Sequence, residues 1–184
     1  NHPRQYELPS MEIVEKRIQA LMPFADQLSW NGYVVAGSFA ALVCQPITNP
    51  EEPSRIGCTP GDVDFYPYCR REDRGNLSIH EAAMLGYRQF LDDMTTVMNE
   101  GEVFTESMTK RNLNCTTIVA DVSHGRPEAW RVLEQYQIIH RAHTAPTSVI
   151  VGFDQMACKA LYDGKMVYFT LDAALCLYFG INPV

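Results

Sequence analysis

Val34-Val35-Ala36-Gly37-Ser38 and, further along the chain, Asp62-Val63-Asp64-Phe65 are the two stretches that decide the fold. The apolar run before Gly37 predicts a buried strand that turns directly into a helix at Ser38. The second stretch alternates acidic and apolar residues, which predicts a strand with Asp62 and Asp64 on one face. Two carboxylates this close repel each other, so the pattern favours a divalent cation between them.

The Gly-Ser turn adds a second chemical element to the carboxylate pair. Gly37 and Ser38 open the predicted helix, and the first amides of a helix have no partner inside it. Such amides are suited to binding phosphate. A phosphate site beside metal-binding carboxylates is the equipment for phosphoryl or nucleotidyl transfer.

The composition is that of an ordinary globular protein. The chain has 184 residues, of which 46% are hydrophobic and 20% charged, and this predicts one domain. The net charge of -7 argues against a dominant nucleic-acid groove but is compatible with a small nucleotide. No stretch approaches the roughly 20 apolar residues of a membrane span, and no signal peptide is visible, so we expect no membrane partner. Because the chain opens with Asn1-His2-Pro3, we expect a processed product or a fragment of a longer protein.

Six cysteines are spread along the chain without any CxxC or zinc-ribbon spacing. Several lie in apolar segments, which favours reduced thiols in an intracellular, cytoplasmic protein. Because the number of cysteines is even, disulfides remain an alternative.

The pattern of apolar residues and turn signals predicts helices and strands mixed along the whole chain, hence an α+β class with a mixed sheet. We expect residues 1–29 to form an N-terminal helical segment and residues 30–184 the core of one domain. Predicted helices cover 10–28 (interrupted at Pro23), 38–43, 78–99, 127–133, 146–152 and 171–179. Predicted strands cover 33–36, 62–68, 102–106, 114–122, 136–141, 157–162 and 165–169, with 102–106 pairing to 114–122 and 157–162 to 165–169.

The two opening stretches together resemble the signature of the nucleotidyltransferase superfamily of the DNA polymerase β type, hG[GS] followed by Dh[DE]h. Val35-Ala36-Gly37-Ser38 and Asp62-Val63-Asp64-Phe65 would fill its two parts. The resemblance implies a nucleotidyltransferase-like mixed sheet with flanking helices. It also implies that Gly37 and Ser38 contact the triphosphate of a nucleotide, and that Asp62 and Asp64 are catalytic residues that bind Mg²⁺.

Segments of the C-terminal half resemble a run found in poorly characterised nucleotidyltransferase-like proteins of fungi and large viruses. These segments are Tyr136-Gln137-Ile138-Ile139-His140-Arg141, Pro146, Phe153-Asp154 and Tyr162-Asp163-Gly164-Lys165. The resemblance adds a virion-associated protein to the expected locations.

The third carboxylate of the family's site is the point at which this sequence departs from the pattern. In the family it lies on a later strand, here 136–141, which offers Gln137 and His140 instead of an acid. Asp121 and Asp154 are the substitutes that the sequence leaves open. Gln137 could also coordinate a metal through its carbonyl, though less strongly than a carboxylate.

Two other groups of side chains invite interpretation. Arg70 and Arg71 directly follow the acidic strand and are candidates to reach phosphate. His140 and His143 have a spacing found in metal sites, but residues i and i+3 diverge at a strand end, so capping or solvent exposure is the expectation.

We therefore expect transfer of a nucleotidyl group from a nucleoside triphosphate to an acceptor, with Mg²⁺ as cofactor. The first alternative is a catalytically inactive nucleotidyltransferase fold that serves as a binding or assembly module in a larger, viral or multi-domain protein. The second is a metal-dependent nuclease or phosphatase that uses the same acids.

Overall fold

A computed structural model describes residues 7–56, 61–100, 107–121 and 133–179. The described residues form five α-helices and seven strands. The helices are α1 Met11–Leu21, α2 Ser38–Val43, α3 Ile79–Glu100, α4 Pro146–Val151 and α5 Leu171–Phe179. The strands are β1 Tyr33–Ala36, β2 Val63–Pro67, β3 Ser107–Arg111, β4 Cys115–Asp121, β5 Leu133–Ile139, β6 Ala160–Tyr162 and β7 Val167–Phe169.

All seven strands belong to one mixed sheet with the order β3-β4-β5-β2-β1-β6-β7. Strands β2 and β5 pair in parallel, and the other neighbours are antiparallel. The predicted α+β class with a mixed sheet is confirmed. The boundary between 1–29 and 30–184 stays a prediction, although Ile18 of α1 and Tyr33 of β1 share one hydrophobic cluster.

Strand β1 is buried on both faces, as its continuous apolar run predicts. Tyr33 and Val35 face the main cluster, which α1 and α3 cover. Val34 and Ala36 face a smaller cluster on the opposite side, which α4 covers with Val149 and Ile150. The second cluster matters for function because it lies on the face that carries Asp64.

Local capping groups fix the starts of three helices where the sequence predicts them. Ser10 Oγ accepts a hydrogen bond from the amide of Ile13 at 3.4 Å, and Thr170 Oγ1 accepts one from the amide of Ala173 at 3.2 Å. Ser78 and Glu81 form the predicted capping box, with contacts of 3.2 Å and 2.8 Å. The predicted interruption at Pro23 is confirmed, because α1 ends at Leu21 and a 3₁₀ turn follows at Ala25–Gln27.

Some predicted boundaries are wrong or lie outside the described residues. The predicted strand 102–106 lies outside them, and the strand that pairs with β4 is Ser107–Arg111. Residues 127–132 of the predicted helix 127–133 also lie outside, but Leu133 is the first residue of β5, because it pairs with Asp121 of β4. Asp62 precedes β2, which begins at Val63.

The proline-rich loop after α2 is attached to α1 by one buried side chain. Arg17 is 2% exposed, and its guanidinium donates to the carbonyl oxygens of Val43 (3.0 Å), Gln45 (2.5 Å) and Pro53 (2.8 Å). Burial lowers the pKa of Arg17. The guanidinium therefore compensates for its burial by binding three carbonyl oxygens, one at the end of α2 and two in the loop.

Helix α3 packs against the turn that precedes β1 with backbone touching backbone. A Cβ added at Gly86 would lie 1.9 Å from the carbonyl oxygen of Gly32. Farther along α3, the Asp93 carboxylate accepts hydrogen bonds from Ser29 and from the Tyr33 hydroxyl. These contacts hold α3 against β1, and α3 thereby covers the main hydrophobic face of the sheet.

Within the described residues, five cysteines are free thiols, namely Cys44, Cys69, Cys115, Cys158 and Cys176. The same part of the chain contains no helix with the length and apolar character that a bilayer crossing requires.

Candidate functional site

A single row of paired residues crosses the sheet and contains the predicted site. Asp64 of β2 lies between Gln137 of β5 and Ala36 of β1. The row continues to Thr117 of β4 on one side and to Leu161 of β6 on the other. Directly paired residues share a face, so the row has a polar half around Asp64 and an apolar half that lies under α4.

The carboxylate of Asp64 is partly buried and does not receive hydrogen bonds from the protein at both oxygens. The side chain is half-buried, and its Oδ1 atom is buried without a hydrogen-bond partner. Burial and, to a smaller extent, the nearby charge of Asp62 together raise the pKa of Asp64 to about 6. The two predicted acids are therefore close enough to interact, and the structure brings them together as the i, i+2 spacing predicts.

Gln137 occupies the position next to this pair. It pairs with Asp64 in the parallel register of β5 and β2, and its amide nitrogen lies 3.5 Å from Asp62 Oδ2. The amide donates toward the carboxylate, so in this arrangement its carbonyl oxygen is directed elsewhere. The position that the resemblance assigns to a third carboxylate thus holds a neutral side chain.

Gly37 and Ser38 lie at the same end of the sheet, where β1 ends and α2 begins. Gly37 has a φ of 88°, a conformation that L-residues with a side chain rarely adopt. Its amide donates to the carbonyl oxygen of Ala160 at 3.0 Å, so this amide is occupied, whereas Ser38 is exposed. A Cβ at Gly37 would lie 3.8 Å from the ring of Phe153. The turn is therefore close to the aromatic wall of the site.

Tyr66 and Phe153 form that wall, and the sequence interpretation missed both. Their ring centroids lie 5.7 Å apart in an edge-to-face arrangement. Tyr66 follows Asp64 by two residues on the same face of β2, so strand alternation could have identified it. Burial raises the pKa of the Tyr66 phenol, and the charges of Asp64 and Asp62 raise it as well. The hydroxyl therefore stays protonated beside the acids.

The candidates for a third carboxylate do not complete the pair. Asp121 pairs with Leu133, four residues before Gln137 on β5, which displaces it by about 13 Å along the strand direction. Asp154 is exposed, and its Oδ1 accepts a hydrogen bond from the amide of Gln155 at 2.9 Å. Among the described residues, no group of three or more His, Cys, Asp or Glu side chains is placed to hold a metal ion.

The structure separates Arg70 and Arg71 from the acids. They follow the opposite end of β2 and line a groove with the start of α4. Cys69 is five residues from Asp64, a distance of about 17 Å in an extended strand. That these arginines reach a phosphate stays a prediction, and the structure places them at the end of β2 opposite to the acid pair.

His140 and His143 occupy different environments. His140 Nε2 lies 2.9 Å from Thr116 Oγ1, whereas the His143 ring contacts the ring of Tyr66 at 5.9 Å between centroids. His143 is buried at 7% exposure, and burial lowers its pKa. The chemistry available at the predicted site is that of two carboxylates, a glutamine amide, an exposed serine hydroxyl and the Tyr66 phenol.

These groups fit a hard divalent cation. Mg²⁺ prefers oxygen ligands and is commonly held by one or two carboxylates, with water and substrate phosphate completing its shell. The unpartnered Oδ1 of Asp64 and the mutual repulsion with Asp62 are both relieved when a cation binds there.

A scan against protein-family models matches no family, and a search of curated proteins finds no similar sequence. The interpretation of the site therefore depends on the geometry of its own residues.

Proposed function

We propose that this protein is a Mg²⁺-dependent nucleotidyltransferase that uses a nucleoside triphosphate as substrate. The observation that carries the proposal is the half-buried carboxylate of Asp64, with an unpartnered oxygen, beside Asp62. A protein that keeps two acids together at the edge of a hydrophobic cluster destabilises itself unless a cation compensates. The adjacent Gly37–Ser38 turn supports a phosphate-bearing substrate.

Each group has a distinct part in the proposed reaction. Asp62 and Asp64 would hold Mg²⁺, which when bound supplies charge neutralisation and Lewis-acid activation of the phosphate. Gly37 leaves open the space that a side chain would fill beside Phe153, so a phosphate can approach the turn. Ser38 presents a hydroxyl that can donate to a phosphate oxygen. The reaction is in-line attack of an acceptor on the α-phosphorus, with pyrophosphate as the leaving group.

A second candidate function is nucleotide or partner binding without catalysis, as in an assembly module. The observation that favours it is Gln137, a neutral amide paired with Asp64. With one carboxylate fewer than the family pattern, a single cation can be held while a second one is bound more weakly.

Binding and turnover measured on the same protein test both candidates. We expect Mg²⁺ with a nucleoside triphosphate to bind in calorimetry, and Asp64→Asn or Asp62→Asn to weaken binding by about tenfold or more. Asp92→Asn, an exposed acid on α3, is the matched control and should bind as the unchanged protein does.

Product analysis with a triphosphate labelled at the α-phosphorus separates the functions. Nucleotidyl transfer yields labelled acceptor and pyrophosphate, whereas binding without any product supports the second candidate. Release of labelled nucleoside monophosphate in the absence of an acceptor identifies hydrolysis instead. If Mg²⁺ and triphosphate neither bind nor react, and Asp64→Asn changes nothing, both candidates fail.

The proposed substrate also supports a location. Nucleoside triphosphates and Mg²⁺ are abundant inside cells, and burial raises the pKa of the Cys44 thiol to about 12, which keeps this thiol unreactive. We therefore propose a cytoplasmic protein or a virion-associated one, with a nucleotide as partner.

A further inference from the structure

A pocket of about 310 Å³ lies across the sheet from the acid pair. It is formed where the C-terminal ends of β2 and β5 meet the first turns of α3 and the turn between β3 and β4. Pro67 and Asp64 are three residues apart on β2 and therefore face opposite sides of the sheet. This pocket is thus separate from the proposed nucleotidyl-transfer site.

The charged side chains among the described lining residues of this pocket are basic. Arg111 and Arg141 line it together with His80 and His140, and none of its described lining residues is an aspartate or glutamate. The chain as a whole has 22 acidic and 15 basic residues, so a lining without acids is contrary to its composition. Within the described part of the chain, neither arginine forms an ion pair. Two guanidinium groups at one pocket therefore have no carboxylate partner among the residues that the structure describes.

The wall of the pocket is held in place by hydrogen bonds. His140 Nδ1 lies 3.3 Å from the carbonyl oxygen of Leu113, which can only accept, so Nδ1 carries the proton. In the neutral ring Nε2 then accepts from Thr116 Oγ1 at 2.9 Å, and Thr116 accepts from the Tyr87 hydroxyl at 3.0 Å. This chain of donors fixes the imidazole without any ligand.

The ring of Tyr87 contacts both the Arg111 guanidinium and the His140 imidazole. The Arg111 guanidinium lies 5.8 Å from its centroid, within the range of a cation–π contact. The His140 ring stands edge-to-face at 5.4 Å. Because these contacts exist in the free protein, an anion would meet an Arg111 guanidinium and a His140 ring that are already positioned.

We propose that this pocket binds a small phosphate monoester. Guanidinium groups match the oxygens of phosphate with paired hydrogen bonds, and two arginines match the charge of the dianion. The apolar wall of Ala83, Met84 and Tyr87 would cover the organic part of the ligand. The volume lies at the lower end of the range of ligand pockets, which sets an upper limit near the size of a mononucleotide.

Calorimetry in Mg²⁺-free buffer with EDTA tests the proposal, with inorganic phosphate and adenosine 5′-monophosphate as probes and adenosine as the phosphate-free control. We expect saturable binding of adenosine 5′-monophosphate that weakens with added salt. Arg111→Gln or Arg141→Gln should each reduce the affinity by about tenfold or more. Arg88→Gln, an exposed arginine of α3 outside the pocket, should leave it unchanged.

Three results would overturn this assignment. The first is that the two pocket variants bind with the same affinity as the unchanged protein. The second is that adenosine binds as tightly as its monophosphate. The third is that neither phosphate probe shows saturable binding. A 5′-phosphorylated dinucleotide distinguishes the source of the monoester, because its tighter binding would indicate the end of a nucleic acid and weaker binding a free metabolite. Asp64→Asn should bind the monophosphate normally, so failure of this proposal is distinguishable from failure of the nucleotidyltransferase proposal.

Discussion

Asp64 has a carboxylate that titrates differently in the folded and the unfolded chain. Its pKa rises from the usual 3.8 to about 6 in the folded protein, because burial and then the charge of Asp62 disfavour the ionised form. The folded state consequently binds more protons than the unfolded state between these values. Stability therefore falls as the pH rises through this window, and above about pH 6 the penalty is fully present.

Replacing Asp64 by Asn removes this penalty, because the amide does not ionise. We expect Asp64→Asn to stabilise the metal-free protein by about 1–2 kcal/mol at pH 8, after allowance for solvent screening of a half-buried group. At pH 4 the effect should be near zero. Urea unfolding in EDTA at the two pH values measures the difference. A gain of equal size at both values would show that ionisation is not its cause, and Asp92→Asn should have little effect at either.

Gln137 is a neutral residue next to the two acids. Adding a negative charge at this position tests whether a cation binds there, because the affinity for the cation should then increase. Gln137→Glu places a third carboxylate beside Asp62 and Asp64. We expect the affinity for Mg²⁺ to rise by about tenfold, since more ligand charge strengthens the binding of a divalent cation. In EDTA the same variant should be less stable, because three carboxylates repel one another. Calorimetric titration with Mg²⁺ gives the affinity.

The control for that measurement is Gln27→Glu, which adds the same charge at an exposed position of the 3₁₀ turn. Unchanged or weaker Mg²⁺ binding by Gln137→Glu would contradict a cation site on this row of residues.

Among the helices, α3 contains a glycine whose replacement by alanine, normally stabilising in a helix, should destabilise the protein. Replacing a helical glycine by alanine normally stabilises a helix by about 1 kcal/mol. At Gly86 the added Cβ would lie 1.9 Å from the backbone of Gly32, so the helix would have to move. We expect Gly86→Ala to destabilise the protein by about 3 kcal/mol. Chemical denaturation measures this, with Leu85→Ala at the exposed neighbouring position as a control that should change stability little.

Arg17 connects two elements that the sequence separates, α1 and the proline-rich loop. Arg17→Met leaves three carbonyl oxygens without their charged donor, which should cost about 2–4 kcal/mol. Limited proteolysis should then cut within 45–56 faster than in the unchanged protein. Lys16→Met removes an exposed ion pair with Glu12 and should change stability by no more than about 0.5 kcal/mol. Equal proteolysis rates in the two variants would contradict the role of Arg17.

For the whole molecule, the sequence predicts best what local chemistry decides. The starts of α3 and α5 follow from Ser78 and Thr170, which cap their own helices. Strand β1 follows from its apolar run. Strand β3 was missed because Ser107–Arg111 is a polar edge strand, whose pattern lacks the alternation that identifies half-buried strands. The start of β5 was missed because pairing with β4, rather than local preference, extends it back to Leu133.

The two candidate sites also differ in how far the local sequence determines them. The relation of Asp62 to Asp64 depends on a spacing of two residues, and the sequence predicts it. The phosphate monoester pocket could not be predicted, because it collects Pro67, Tyr87, Arg111 and His140 from four separate elements. No spacing along the chain relates these residues, and only the packing of α3 against the ends of the strands brings them together.

The parallel pairing of β2 with β5 also determines when the acid pair can acquire its properties. The contact between Asp62 and Gln137 joins residues 75 positions apart. During synthesis the segment that carries both acids leaves the ribosome well before β5 exists. Until then β2 lacks its parallel neighbour, and the contact between Asp62 and Gln137 cannot form. The surroundings that the acid pair has in the folded protein are therefore complete only after β5 has been synthesised and has paired with β2.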